Sequence, residues 1–258
     1  DVLNFTGFNY DSLKEIALEK TFSAFPLRGL TLSSEIHNKV RYLQSHNIAA
    51  VKKGLTKPDE YILFMAHWDH LGFMEGAQIG DDKIANGAVD NATGVAAVLE
   101  FAKRFSEIET ERSVMFLAVT LEESGLLGSE YFAKYPPIDL SNIVAGFNYD
   151  AILPTGLTND MVVVGYGASE LEDLLEDELS KSGRYINPDP NPDKGYFYRS
   201  DHISFAKRGV PVLYADGGFD LVDGGKEAGF IIDEQYRLDA YHGVADEYGE
   251  SWNLDGLN

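Results

Sequence analysis

The sequence predicts an α/β fold, a layered architecture of buried strands and helices, and two observations support this prediction. From about residue 47, apolar strand-like runs alternate with stretches of helical periodicity. These runs are apolar at consecutive positions, as in strands that are buried on both faces of a sheet. The chain has 258 residues, 44% of them hydrophobic, which is enough to bury one large core.

The predicted elements follow one another along the chain. "NIAAVKKG" (47–54) predicts a strand that forms a hairpin with the next one across "LTKPDE", and "YILFMA" (61–66) predicts a fully buried strand. The spacing of "GVAAVLEFAKRF" (94–105) predicts a helix, which Asn91 or Thr93 could cap. Later predicted elements are two buried strands, one amphipathic helix and a last strand: "SVMFLAVT" (113–120), "NIVAGFNY" (142–149), "ELEDLLEDELSKSG" (170–183) and "GVPVLYA" (209–215). After these we expect Gly- and Asp-rich loop with short helical pieces.

The first 45 residues fit no βα unit. "DSLKEIALEK" (11–20) predicts a short helix, and "LTLSSEIHNKVRYL" (30–43) looks extended. The opening "DVLNFTGFNY" lacks the basic and apolar regions of a signal peptide, and the chain has no run of apolar residues long enough to span a membrane. The pattern suggests a chain that begins midway through something larger.

Charge and cysteine content exclude several classes of partner. The net charge of -21 repels nucleic acid and anionic lipid and favours cations. Because the chain has no cysteine, it has neither disulfides nor thiolate metal sites. Any metal would therefore be held by His, Asp and Glu, a set of ligands that suits harder or borderline ions.

Acidic and imidazole side chains come at the ends of successive predicted strands, where open α/β sheets build their sites. One such residue is usually a cap or a solvated loop residue, but several in succession indicate a common site. Carboxylates that converge from separate strands repel one another unless multivalent cations neutralise them, and the mixture with His favours zinc or a similar divalent ion. The candidates are His67, Asp69, Asp90, Glu122, Glu123 and Asp150.

Glu122 and Glu123 stand side by side in "TLEESG". A carboxylate that is bound to metal cannot also accept a proton from water, so a hydrolase needs a ligand and a free base close together. Adjacent glutamates at a strand end could divide these roles. The alternative is a pair of solvated glutamates that the helix dipole favours at the N-terminus of a helix.

The remaining histidines are harder to assign. We expect surface roles for His37, His46 and His70, which lie outside the α/β pattern or just beyond the "HWD" stretch. His202 and His242 both follow polar loops near the end of the sheet, and local chemistry does not choose between them.

In sequence, the chain resembles the co-catalytic di-zinc exopeptidases, a family that includes bacterial leucine-type aminopeptidases, glutamate carboxypeptidase and glutaminyl cyclases. The resemblance covers residues 47–258. It implies a mixed, mostly parallel central sheet with helices on both faces, the phosphorylase/hydrolase-like fold of zinc exopeptidases. The matching segments, in order, are "AHWDHLG", "VDNATGVAAVLE", "LEESGLLGSEYF", "NYDAI", "YRSDHISFAKRGVP" and "YHGVADEY".

The resemblance implies a role for each candidate. His67 and Asp150 would hold one Zn²⁺, Glu123 and His242 a second, and Asp90 would bridge the two. Glu122 would be the general base for a bridging hydroxide nucleophile, and the carboxylate of Asp69 would fix the tautomer of the His67 imidazole. Tyr241, or less securely Tyr198, would stabilise the oxyanion. Asp201 and His202 would make hydrogen bonds beneath the site.

The resemblance also sets the expected function and context. We expect an aminopeptidase that acts on peptide substrates, with no nucleic-acid partner and no membrane span. The alternatives are a carboxypeptidase or dipeptidase of the same family, with Arg199 as the nearest carboxylate-binding candidate, or a glutaminyl cyclase or a binding module without activity. Residues 1–45 would be the remnant of an inserted protease-associated domain and its return linker, residues 46–258 the catalytic domain, and an N-terminal part would be missing. Secretion or a periplasmic location is expected.

Overall fold

The computed structural model describes residues 2–40, 42–76, 80 and 82–257. The chain divides into two units, Asp1–Leu43 and Gln44–Asn258. In the first, the short helix α1 (Tyr10–Ala17) begins where the side chain of Asn9 accepts a hydrogen bond from the backbone N–H of Ser12, as in a standard N-terminal cap. This confirms the predicted helix, while the origin of residues 1–45 as the remnant of an inserted domain stays a prediction.

The second unit is built on a seven-stranded sheet in the order β1-β5-β2-β6-β9-β7-β8, beside a two-stranded ribbon of β3 and β4. Strands β5, β2, β6 and β9 run parallel to one another, whereas β1 is antiparallel to β5 and the parallel pair β7–β8 is joined to β9 in antiparallel orientation. The predicted mixed, mostly parallel sheet is thus confirmed. The strands are β1 (Ile48–Lys52), β2 (Lys57–His67), β3 (Gly72–Phe73), β4 (Ile84–Ala85), β5 (Arg112–Val119), β6 (Ile143–Asn148), β7 (Asp160–Val163), β8 (Tyr185–Pro188) and β9 (Val212–Gly217).

Both faces of the sheet are buried, as the consecutive apolar positions predicted. Successive side chains of a strand point to opposite faces, so Leu63 and Met65 of β2 enter one core cluster and Phe64 and Ala66 the other. Helices cover the two sides: α2 packs on the Phe64 side, and α3 and α5 pack on the other. The helices of this unit are α2 (Gly94–Ser106), α3 (Leu127–Lys134), α4 (Leu171–Lys181), α5 (His202–Ala206) and α6 (Gly225–Asp239).

The predicted hairpin between the first two strands is wrong. β1 pairs antiparallel with β5, with Ile48 opposite Ala118, and β2 lies between β5 and β6. The reason is burial. Most of β1 is exposed, which suits a strand at the edge of the sheet. The second half of β2 is fully buried, and a parallel strand on each side pairs with its backbone.

The loop predicted after the last strand is also wrong in part, because it contains the 15-residue helix α6. The sequence did not predict this helix because the segment contains several glycines, and glycine lowers helix propensity. Gly229 has a packing reason: a Cβ there would lie 2.0 Å from the carbonyl oxygen of Phe219, so only glycine lets the helix approach this backbone. No helix in the described part of the chain combines the length and apolar character needed to cross a bilayer.

Candidate metal centre and active site

The carboxyl ends of three adjacent parallel strands deliver most of the candidate residues. His67 is the last residue of β2, Glu122 and Glu123 follow β5, and Asp150 follows β6. Asp90 comes from the irregular turn Ala88–Thr93, which leads into α2. Of the two predicted caps of that helix, the side chain of Asn91 accepts the hydrogen bond from the N–H of Gly94.

His67 is the centre of a first cluster. Its Nε2 atom lies 3.2 Å from a carboxylate oxygen of Asp90 and 3.2 Å from one of Asp150. All three residues are buried. Burial opposes a charged imidazole, but the carboxylates of Asp150 and Asp90 outweigh it and raise the pKa of His67 to about 12. The protonated imidazole thus lies against both carboxylates, and these three side chains could together hold a metal ion.

A second cluster forms around Glu123. His242 Nε2 lies 3.2 Å from Glu123 Oε2 and 3.3 Å from the second oxygen of Asp90, so Asp90 reaches both clusters. Burial acts to raise the pKa of Asp90, but hydrogen bonds to His242 and His67 hold it well below its ordinary value. The structure therefore brings together all five residues of the expected ligand set.

His70 corrects a prediction. Its side chain is only 6% exposed, so the surface role expected for it is wrong. Nδ1 lies 2.7 Å from Glu123 Oε1, and His70, Asp90 and Glu123 could by themselves hold a metal ion. Sequence reasoning missed it because it stands one residue beyond the "HWD" stretch. His37 and His46, in contrast, are exposed as predicted.

Asp69 binds both the first histidine and the glutamate pair. Its backbone carbonyl oxygen, rather than its carboxylate, is the near partner of His67 Nδ1, at 3.0 Å against 3.9 Å for the carboxylate. The carboxylate accepts hydrogen bonds from the backbone N–H groups of Glu122 and Glu123. Asp69 therefore orients the imidazole and fixes the backbone of both glutamates.

Glu122 has a different environment from Glu123. It lines a cavity of about 470 Å³ whose described walls also include Asp90, Asp150 and His242. Burial, followed by the charge of Asp150, raises the pKa of Glu122 to about 9. Divalent cations held by the neighbouring carboxylates would lower it again, because opposite charge favours the ionised form. Both glutamates line the cavity, but only Glu123 also belongs to a cluster with histidine, so the two adjacent carboxylates have different environments.

Two further residues position the candidate ligands, and sequence reasoning did not name them. Asp246 is 1% exposed and accepts hydrogen bonds from the N–H groups of Val89 and Asp90, which fixes the turn that carries Asp90. Ser200 donates a short hydrogen bond of 2.5 Å to Asp150. Asp246 stands four residues after His242 in "HGVAD", and its acidic side chain beside a candidate ligand was the available signal.

Asp201 and His202 lie beneath the site, both 0% exposed. The hydrogen bonds expected of them are not formed with standard geometry, since none of their side-chain polar atoms has such a partner within the described residues. His202 instead packs between the rings of Phe197 and Tyr214. Burial lowers the pKa of His202 to about 4 and raises that of Asp201 to about 7.

Both tyrosine candidates line the cavity. Tyr241 stacks on the ring of His242 with centroids 3.9 Å apart, whereas Tyr198 is 68% exposed. Burial raises the pKa of Tyr241 above its ordinary value, so its hydroxyl stays a hydrogen-bond donor at neutral pH. Tyr241 is therefore the better placed of the two.

The residues present fit divalent metal ions. Buried carboxylates from three separate segments converge on the imidazoles of His67 and His242, and Glu123 Oε1, whose near neighbour is His70 Nδ1, is buried without a hydrogen bond of good geometry among the described residues. Such a group is costly unless a cation compensates it. The donors are nitrogen and carboxylate oxygen, which are the ligands that zinc takes in catalytic sites.

Comparison with known families identifies this arrangement. The sequence model described as "Peptidase family M28" matches residues 47–256. The chain belongs to peptidase family M28. The match begins one residue before β1 and includes every candidate ligand, so the predicted zinc-exopeptidase resemblance and its fold are confirmed.

Similar M28 proteins include a "Probable zinc metalloprotease" of Pyrenophora tritici-repentis, 36% identical over 105 residues, which are 41% of this chain and 24% of that protein. Aminopeptidase YwaD of Bacillus subtilis is 29% identical over 111 residues, 42% of this chain and 22% of that protein. The chain therefore spans about a quarter of the length of these curated relatives.

Solved structures share the fold of this M28 chain. The aminopeptidase from Aneurinibacillus sp. strain AM-1 superposes with a TM-score of 0.51 and 26% identity, over 67% of this chain and 39% of that one. The LapA aminopeptidase of Legionella pneumophila gives a TM-score of 0.56 over 82% of this chain and 50% of that one, at 18% identity, a likeness of fold alone.

The contrast between the two late histidines gives a first prediction. We expect His242→Ala to bind less zinc per chain than the wild type, because its imidazole faces both Asp90 and Glu123. His202→Ala should keep its zinc even if it is less stable, since the buried ring packs on aromatic residues. Metal analysis of both purified variants after dialysis tests this. Zinc loss in His202→Ala alone would show that His202, and not His242, is the ligand.

Proposed function

We propose that this chain is the catalytic part of a zinc aminopeptidase that removes N-terminal residues from peptides. The observation that carries the proposal is the pair of carboxylate and histidine clusters that share Asp90 and border the cavity lined by Glu122. A ligand set and a separate carboxylate base are what metal-assisted hydrolysis requires. The names of YwaD and of the Aneurinibacillus enzyme support an aminopeptidase.

The ligands divide naturally between two zinc ions. His67 and Asp150 would hold one, Glu123 and His242 the other, and Asp90 would bridge them through its two oxygens, which face His67 and His242 respectively. When bound, zinc supplies Lewis-acid polarisation of the substrate carbonyl and makes water more acidic. Asp69, Asp246 and Ser200 hold the ligands in place through the hydrogen bonds described above.

Two side chains on the cavity wall take part in the reaction: Glu122 transfers the proton of the attacking water, and Tyr241 stabilises the negative charge on the substrate carbonyl oxygen. Glu122 accepts a proton from the attacking water and then donates it to the leaving amine, so it acts as base and then acid. Its backbone is held by Asp69, and its carboxylate is not needed as a ligand because Glu123 fills that role. Tyr241 donates a hydrogen bond to the carbonyl oxygen as negative charge develops there.

A carboxypeptidase of this family is the second candidate. Arg199 supports it, because it lines the cavity and could bind the terminal carboxylate of a substrate. The two activities differ in the terminus that they require. Aminoacyl reporter amides, their N-acetylated forms and N-blocked dipeptides should be assayed with zinc-loaded protein. Only an aminopeptidase needs the free amine, so cleavage of blocked substrates alone would overturn the proposal. A secreted or periplasmic location also stays a proposal.

Removal of metal should have two effects. We expect a chelator to abolish hydrolysis and to lower the melting temperature, and added zinc to restore both, because a ligand that binds only the folded protein stabilises it by mass action. Without cations the buried carboxylates around His67 and His242 repel one another. Activity assays and thermal melts of one sample before chelation, after it and after zinc addition check this. An undiminished rate in the metal-free protein would contradict the metal centre.

A further inference from the structure

One wall of the cavity carries a carboxylate, Asp216, that the metal centre does not use. Asp216 lies on β9, where it pairs with Val162 of the antiparallel strand β7. Side chains alternate between the faces of a strand, so Tyr214 and Asp216 share a face. Val162, Tyr214 and Asp216 all line the cavity, together with Val164. The wall is therefore apolar, with a single acidic group on β9.

Only one of the two carboxylate oxygens of Asp216 has a hydrogen bond among the described residues. Its Oδ1 accepts a hydrogen bond of 2.7 Å from the N–H of Gly217, and Oδ2 makes no hydrogen bond with any residue that the structure describes. Burial raises the pKa of Asp216 to about 7, although the hydrogen bond from Gly217 and the charge of Arg237 lower it, and the charges of Asp150 and Asp233 add smaller increases. A cation placed beside this carboxylate would relieve both the desolvation and the repulsion.

Neither arginine that lines the cavity makes a direct ion pair with Asp216 among the described residues. Arg237 has its nearest carboxylate partner in Asp233, at 2.9 Å, and its guanidinium lies 4.9 Å from the centre of the Tyr196 ring. Arg199 lies over the same ring, at 5.5 Å. Arg237 is near enough to lower the pKa of Asp216 somewhat, but within the described residues no ion pair joins the two.

We propose that Asp216 selects peptides whose N-terminal residue has a cationic side chain, lysine or arginine. The inference rests on the proposed aminopeptidase function. Lysine and arginine combine an apolar stem with a charged tip. The stem would lie against Val162, Val164 and Phe219, and the tip would reach the free oxygen of Asp216, in the same cavity that Asp90, Asp150 and His242 line. A charge-assisted hydrogen bond to a partly desolvated carboxylate gives strong discrimination against a neutral side chain.

The test compares two substrates that differ only in charge. Norleucine has the straight apolar stem of lysine without the ammonium group, so kcat/KM of zinc-loaded protein should be measured for the lysyl and norleucyl amides of one fluorogenic reporter. We expect the wild type to favour lysine by about 10- to 100-fold, the range for one hydrogen bond to a charged group. Asp216→Asn should bring this ratio close to one and leave the norleucyl rate within about twofold.

A control and a binding measurement make the outcome decisive. Asp223→Asn removes the same charge from an exposed position on the loop before α6, and it should keep the wild-type ratio. Titration calorimetry with free L-lysine and L-norleucine should show the same preference in the wild type and its loss in Asp216→Asn, without any turnover. Equal binding of the two amino acids, or an equal fall of both rates in Asp216→Asn, would overturn the role of Asp216. If the protein hydrolyses neither free-amine substrate but still binds lysine more tightly in calorimetry, this result would instead refute the proposed function.

Discussion

Glu122→Gln is expected to lower kcat by about 10²–10⁴-fold while zinc content stays at the wild-type value. Glutamine keeps the shape of the side chain but cannot accept a proton. The backbone of residue 122 is fixed by Asp69 and its side chain lies on the cavity wall, outside both ligand clusters, so the substitution should not disturb the metal centre. Steady-state kinetics with a free-amine substrate, together with metal analysis of the same sample, measure both quantities.

Added zinc should not restore the activity of Glu122→Gln, because the metal is not what it lacks. Substrate binding should also survive, and inhibition by a free amino acid gives a measure of it. Full activity in this variant would remove Glu122 from the proton transfer and leave the base unassigned.

Glu123→Gln is expected to lose zinc rather than proton transfer, although the substitution is chemically the same. A neutral amide replaces the anionic oxygen that faces His242 at 3.2 Å, so zinc should bind more weakly, with a loss of about 10–100-fold or more in affinity. Zinc titration of the purified variant should show little activity at low zinc and partial recovery at high zinc.

The comparison of the two glutamine variants is the stringent part of this experiment. They differ by one position and have the same charge change, so a general effect on folding would appear in both. Equal zinc loss in the two proteins, or rescue of both by excess zinc, would contradict the division of roles between Glu122 and Glu123.

Much of the sheet could be predicted because its strands are buried on both faces, which makes their sequences apolar at every position. "YILFMA" and "SVMFLAVT" are such runs, and the residues after them lie at one sheet edge by the geometry of parallel strands. The convergence of His67, Glu123 and Asp150 followed from that rule. The strands β7 and β8 were not predicted, because each is only four residues long, and β1 was predicted as a strand but with the wrong partner.

Other features depend on contacts between distant segments and leave no local signal. The choice of β5 as the partner of β1 is decided by which strands need burial, and α6 depends on the close approach of Gly229 to Phe219. Local chemistry left His202 and His242 equivalent, and only the family resemblance separated them. His70 was missed because its burial beside Glu123 follows from the path of the loop after β2.

The hydrogen bonds of Asp246 have a consequence for the order in which the site is assembled. Asp246 holds the N–H groups of Val89 and Asp90, and 156 residues separate it from Asp90. Contacts between segments so far apart in sequence slow folding, so we expect this contact to form late. A chain still emerging from the ribosome would carry His67, Asp90, Glu123 and Asp150 before it could hold them against His242. In the finished protein, a local opening of the segment around Asp246 would release Asp90 and His242 together, so we expect the lifetime of bound zinc to follow the opening rate of this C-terminal segment.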